Sequence, residues 1–127
     1  MSRTVLVVDD SAVTRALIAE VCAAAGAGSV ETCASGFEAI RALPRVGDLA
    51  LVITDVNMPD ITGLELVRML REQPTYKTVP IFVVSTDAAT ADFERALSLG
   101  ANKYFTKPFD VVALGAAVKT ALEVKPC

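Results

Sequence analysis

The chain has 127 residues, 53% of them hydrophobic and 21% charged, with a net charge of -3. That length and composition fit one globular domain, 1–127, with its own core and no output domain, and exclude a disordered chain. The acidic balance disfavours nucleic-acid and anionic-membrane partners, and the absence of histidine excludes Ser-His and Cys-His pairs and His-containing zinc sites.

In chain order, "TVLVV" (4–8) is a short apolar strand cut off by Asp9 and Asp10, too brief for a signal peptide. A helix follows over 12–25 and stops at Gly26. "SVETC" (29–33) mixes polar and apolar positions and suits a half-exposed edge strand. Residues 36–43 form a second helix, with Phe37, Ile40 and Leu43 three apart before Pro44. "LALVIT" (49–54) is a continuous apolar strand that runs into Asp55. The third helix, 63–72, aligns Leu64, Val67 and Leu70. "PIFVVS" (80–85) is another buried strand, followed by a helix over about 88–99 presenting Phe93, Ala96 and Leu97 and ending at Gly100. "KYFT" (103–106) is the last strand, and a helix over about 110–124 buries Leu114, Val118 and Leu122. Cys22 and Cys33 read as core thiols and Cys127 as a tail thiol, in a reducing, cytoplasmic setting.

Five strands alternating with five helices predict an α/β domain, a parallel sheet with helices on both faces. Ligands of such sheets bind outside the carboxyl ends of the strands. Those ends carry Asp9 and Asp10, Asp55, Ser85 with Thr86, and Lys107 before Pro108. Each alone has an ordinary explanation: Asp10 or Ser11 as a helix cap, Asp55 as a turn former, Lys107 as a solvated loop residue. Gathered on one edge they make a site.

Three ionised carboxylates in contact repel strongly, by roughly 4 kcal/mol per pair at 4 Å and an effective dielectric near 20. Lys107 and one divalent cation together balance three acids. Hard oxygen donors without His or Cys select Mg2+, which keeps waters and a phosphate oxygen in its shell. A carboxylate beside Mg2+, an amine and a hydroxyl is suited to accept a phosphoryl group. Asp55 ends the middle of the three most hydrophobic strands and is the expected nucleophile, which leaves Asp9 and Asp10 to hold the metal.

The motifs "VLVVDDS", "DVNMPDITGLELV", "VPIFVVST" and "GANKYFTKPF", in this order and spacing, resemble the response-regulator receiver domains of two-component signalling, most closely the stand-alone chemotaxis (CheY-like) type. The resemblance spans the chain. It implies a flavodoxin-like (βα)5 doubly wound fold with strand order 2-1-3-4-5. It implies Asp55 as phosphoacceptor, Asp10 and Asp55 as direct Mg2+ ligands, Asp9 assisting through water, and Asn57 offering its backbone carbonyl. Lys107 is expected to pair with the acceptor and then with phosphoryl oxygens, across a cis bond to Pro108. Ser85 takes the place of the switch hydroxyl, Tyr104 that of the switch aromatic, and Gly63 that of the glycine opening the third helix.

Three positions depart from the family pattern. Ser85 stands where Thr is commoner; Thr86 is bulkier than the usual Ala or Gly and bears on access to the phosphoryl group; Val56 stands where motor-driving regulators often carry an aromatic. The implied partners are a histidine kinase (CheA-like) and a downstream protein docking on the face of the fourth helix, fifth strand and fifth helix, with the chain itself a monomer. The implied chemistry is phosphoacceptance, with at most self-phosphorylation from small donors and autodephosphorylation. A phosphorelay intermediate serving a His-containing carrier is the nearest alternative. A haloacid-dehalogenase-type phosphohydrolase fits less well, because there the nucleophile ends the first strand and the acid pair comes last. A nucleotide binder lacks its Gly-rich loop after the first strand.

Overall fold

The computed structural model describes residues 3–86 and 90–123, the side chains of 90–92 excepted. Its elements run β1 (Thr4–Val8), α1 (Ala12–Ala24), β2 (Ser29–Cys33), α2 (Gly36–Ala42), β3 (Leu49–Asp55), α3 (Gly63–Glu72), β4 (Ile81–Ser85), α4 (Thr90–Leu99), β5 (Lys103–Thr106) and α5 (Val111–Glu123). Two 3-10 turns, Leu43–Arg45 and Pro74–Tyr76, follow α2 and α3. Both contain a proline near their start, which supplies the fixed φ and needs no N–H partner. The five strands form one parallel sheet in the order β2-β1-β3-β4-β5, the expected fold.

The period of two along each strand divides the core. Val5, Val7, Leu51, Ile53, Phe82 and Val84 face α1 and α5, where Ile18, Cys22, Leu114, Val118 and Leu122 meet them. Leu6, Val8, Val52, Ile81 and Val83 face the opposite layer of α2, α3 and α4. With both faces covered, β1, β3 and β4 read as unbroken apolar runs; β2, at the sheet edge, shows the mixed pattern expected of it. Each fully buried Leu or Ile contributes about 1.5–3 kcal/mol.

Helix ends follow local chemistry. Ser11, Ser35 and Thr62 cap α1, α2 and α3 by accepting from the N–H three residues on, at 3.3, 3.2 and 3.1 Å. Gly26 and Gly100, at φ 110° and 116°, turn the chain after α1 and α4 in a conformation other residues resist. Cys22 and Cys33 are buried, and burial pushes the Cys22 thiol up to about 12, so it is a packing residue. Cys127 and the expected start of the fourth helix at 88–89 lie outside the described residues.

The structure corrects several apolar assignments. Phe37 is 55% exposed, because it occupies the first turn of α2 at the sheet edge, while Gly36 and Ala39 carry that helix's inward face. In α3 the fully buried leucines are Leu66 and Leu70, with Leu64 only partly covered. In α4 only Ala96 of the three expected residues is buried; Phe93 and Leu97 are 43% and 39% exposed and border a groove instead.

Candidate functional site

Strand parity brings the chemical groups together. Leu51 and Ile53 point to the α1 and α5 side, and Asp55 is next in that series; Asp9 continues Val5 and Val7, and Lys107 continues Phe105. At the carboxyl edge the carboxylates of Asp9, Asp10 and Asp55 come within 4.8 Å of one another. Lys107 Nζ donates to Asp9 Oδ2 at 2.7 Å and stands 3.6 Å from Asp55 Oδ2. The lysine therefore bridges the two buried acids, with its short bond to Asp9, and the expected pairing with Asp55 is the longer contact. The Lys107-Pro108 peptide bond is cis, as the resemblance implied.

Asp9 is held on several sides. Its Oδ1 accepts from the Ser11 N–H at 2.8 Å, its N–H donates to the Cys33 carbonyl at 3.1 Å, and its carbonyl accepts from the Arg15 guanidinium at 2.8 Å. Arg15 is a contributor that the sequence reading missed, since nothing in its spacing marks it apart from a surface helix residue. Asp10, by contrast, is exposed at the mouth of the cluster.

Asp55 is 6% exposed. Burial raises its pKa above the usual carboxylate value; Lys107 opposes the shift, Asp9 reinforces it, and backbone N–H groups of Val56 and Asn57 oppose it again, with a net rise. Its carbonyl accepts from Thr54 Oγ1 at 2.9 Å, and Gly63 N–H closes the following loop on the Val56 carbonyl at 2.8 Å. A Cβ at Gly63 would stand 1.9 Å from the Asp55 carbonyl oxygen, so the site admits no side chain there. Val56, where an aromatic was noted as common, is buried in the layer of α2 to α4. Asn57 is exposed beside it.

Ser85 is fully buried, and its carbonyl accepts the Lys107 N–H at 2.7 Å, tying the ends of β4 and β5. By parity Ser85 belongs with Ile81 and Val83, on the α4 side. Tyr104 pairs with Val83 in the sheet and packs its half-buried ring on Phe93, centroids 5.5 Å apart. Thr86 is exposed at the strand end. Every residue singled out from the sequence thus lies on the carboxyl edge, except Tyr104, which lies within β5 on the α4 side.

The donor set suits Mg2+: three carboxylates, two of them buried, oxygen atoms only, and one ammonium group too few to neutralise them. No helix among the described residues is long and apolar enough to cross a membrane.

A parallel five-stranded sheet in this order, with clustered acids and a lysine at its carboxyl edge, defines a receiver domain. The response regulator receiver domain family model matches residues 5–119, and the chain belongs to that family. The chemotaxis protein CheY homolog of Campylobacter jejuni is 39% identical over 104 residues, 82% of this chain and 80% of that protein. CheY1 of Helicobacter pylori is 38% identical over 82% of this chain and 84% of its own length. The solved structure of the chemotaxis response regulator CheY4 of Vibrio cholerae superposes with a TM-score of 0.83 at 34% identity, covering 96% of this chain and 100% of that one. The chain is therefore a CheY-type receiver of two-component signalling, in keeping with a role in chemotaxis regulation.

Proposed function

We propose that the chain is a stand-alone phosphorylation switch: Asp55 accepts a phosphoryl group, in a Mg2+-dependent reaction, from a histidine kinase of the CheA class. The observation that carries this reading is the Lys107 ammonium set between two buried carboxylates, Asp9 and Asp55, with exposed Asp10 beside them.

Asp10 and Asp55, with the Asn57 carbonyl, would hold Mg2+ directly, and Asp9, whose two oxygens already face Ser11 N–H and Lys107, would assist through water. When bound, Mg2+ supplies positive charge to the phosphoryl oxygens and lowers the repulsion among the acids. Asp55 attacks phosphorus through a carboxylate oxygen; the P–N bond to the donor imidazole breaks, and its electron pair stays on the nitrogen. Lys107, already 3.6 Å from Asp55, moves its bond from Asp9 to a phosphoryl oxygen. Ser85 turns its hydroxyl to another, and Thr86, exposed at the strand end, limits access to the phosphoryl group.

The phosphoryl group carries a charge of nearly -2 where the carboxylate carried -1, and this larger, bulkier anion is what switches the domain. As β4 draws toward the phosphoryl group, Tyr104, packed on Phe93, follows inward and remodels the α4-β5-α5 face. That face has a groove of about 420 Å³ bordered by Phe93, Leu97, Lys103, Tyr104, Phe105, Ala113 and Ala117, and a downstream protein that fits only the remodelled form shifts the population.

The test is incubation with acetyl phosphate, with and without Mg2+, for the native chain and Asp55→Asn. Labelling that needs Mg2+ and vanishes in the variant is expected. A folded native chain that binds Mg2+ yet stays unlabelled by both acetyl phosphate and a phosphorylated histidine kinase overturns the reading.

A further inference from the structure

The loop from β3 to α3, residues 56–62, is fastened at two points. One is the contact of Gly63 with the Asp55 and Val56 backbone described above. The other is Asp60. Its Oδ1 accepts from the N–H groups of Gly36, at 3.1 Å, and of its own neighbour Ile61, at 2.7 Å; its Oδ2 accepts from the Phe37 N–H at 2.8 Å.

Gly36 and Phe37 open α2, and their N–H groups have no acceptor within the helix. Ser35 serves the next N–H, that of Glu38, so α2 is capped jointly by its own Ser35 and by a side chain 24 residues further on. The fit is close. A Cβ at Gly36 would stand 2.2 Å from Ile61 Cγ1, so a side chain there would have to displace that of Ile61. Desolvation, the largest single influence, is outweighed by the N–H groups of Phe37, Ile61 and Gly36 together, which lower the Asp60 carboxyl to about 2. Asp60 is exposed, and water would satisfy the same N–H groups. What water would not do is tie the loop to α2. Between the two fastenings lie Asn57, Met58 and Pro59.

We propose that Asp60 is a positioning residue for the phosphoacceptor site, pinning the 56–62 loop to the start of α2 and thereby fixing the Asn57 carbonyl and the Val56 and Asn57 N–H groups that face Asp55. The proposal rests on the Mg2+-dependent reading above.

Calorimetric titration of Mg2+ into the native chain, Asp60→Ala, Asp60→Asn and Ser35→Ala, beside thermal unfolding of each, separates positioning from helix capping. Ser35→Ala removes a cap from the same helix without touching the loop. Expected is a loss of Mg2+ affinity of about tenfold in Asp60→Ala, the scale of groups that orient metal ligands, and a smaller loss in Asp60→Asn, whose amide oxygen still accepts. Ser35→Ala keeps native affinity although it unfolds at a lower temperature. In Asp60→Ala, without Mg2+, the backbone amide NMR signals of Val56 and Asn57 move.

Native affinity in both Asp60 variants overturns the proposal. So does an equal loss in Ser35→Ala, which would make affinity a matter of α2 stability alone. A native chain that takes up no Mg2+ removes the functional reading together with the proposal, whereas uptake that ignores Asp60 removes the proposal only.

Discussion

Asp55 shows how a residue's function opposes its stability. A carboxylate that ends a buried strand loses hydration, and its neighbour Asp9 adds like charge, so its pKa rises in the folded chain despite Lys107 and two backbone N–H groups. A raised acid pKa means that the folded state binds the proton more tightly than the unfolded state. The stability it contributes is complete below the unfolded value of 3.8 and is lost as pH rises through the folded value. At neutral pH, without Mg2+, the ionised Asp55 is therefore a net burden on the fold. Asp55→Asn should raise the free energy of unfolding by about 1 kcal/mol at pH 7, a fraction of the roughly 4 kcal/mol that one like-charge pair costs at 4 Å. The gain should shrink below pH 4, where the native carboxyl is protonated. Urea unfolding at both pH values in a chelator checks it; a variant less stable than the native chain at pH 7 would show that Lys107 outweighs burial.

At the scale of elements, the two edges of the sheet are held by different means. The carboxyl edge gathers charge for chemistry, while at the opposite edge the starts of β4 and β5 are tied together by Arg71 at the end of α3. Its guanidinium donates to the carbonyls of Gly100, Tyr76 and Val79 and to Asn102 Oδ1, at 2.7 to 3.0 Å; Asn102 Oδ1 also accepts the Ile81 N–H. One residue thus joins α3, the end of α4 and the starts of β4 and β5. Arg71→Met keeps the stem and removes the donors, leaving several acceptors without their partner. A loss of about 2–4 kcal/mol in urea unfolding is expected, with Mg2+-dependent labelling of the folded variant unchanged because the site lies at the other edge. Loss of labelling in folded Arg71→Met would mean that the two edges are coupled. The pattern of the sequence did not distinguish Arg71 from Arg68, which lies exposed and pairs with Glu65 and Glu72 on its own helix. Helical periodicity tells that a polar residue leaves the core, and is silent on whether backbone carbonyls wait for it. Phe93 and Leu97 show the same silence for apolar residues: the spacing puts them on one face with Ala96, yet only Ala96 is buried and the other two border the groove beside β5. The strands were far more legible. β1, β2 and β5 have the bounds read from sequence, and β3 and β4 differ from them by one residue each, because polar and turn residues end every strand sharply.

For the whole molecule, what was legible was the edge on which the chemistry gathers; what was not was how its members divide their bonds. Alternation of strands with helices already placed Asp55 and the other strand ends on one edge. Only three-dimensional distances assign the short lysine bond to Asp9, and only they show Arg15 and Asp60 holding backbone around the site. The result is a domain whose acid cluster is left short of positive charge by one lysine, and that deficit makes a global prediction. A ligand that binds the folded chain alone stabilises it by RT ln(1 + [L]/Kd), about 1.4 kcal/mol for each tenfold rise in concentration above Kd. The unfolding midpoint should therefore climb with Mg2+ at that slope once the site begins to fill. NaCl of equal ionic strength only screens, and should give a shallow rise that levels off. Asp10→Asn removes an exposed carboxylate at the mouth of the cluster and should move the onset of the climb to higher Mg2+ while leaving the NaCl response as it was. If Mg2+ and NaCl act alike on the native chain, the cluster is a surface of acids and not a cation site, and the loop that Asp60 holds has no metal to serve.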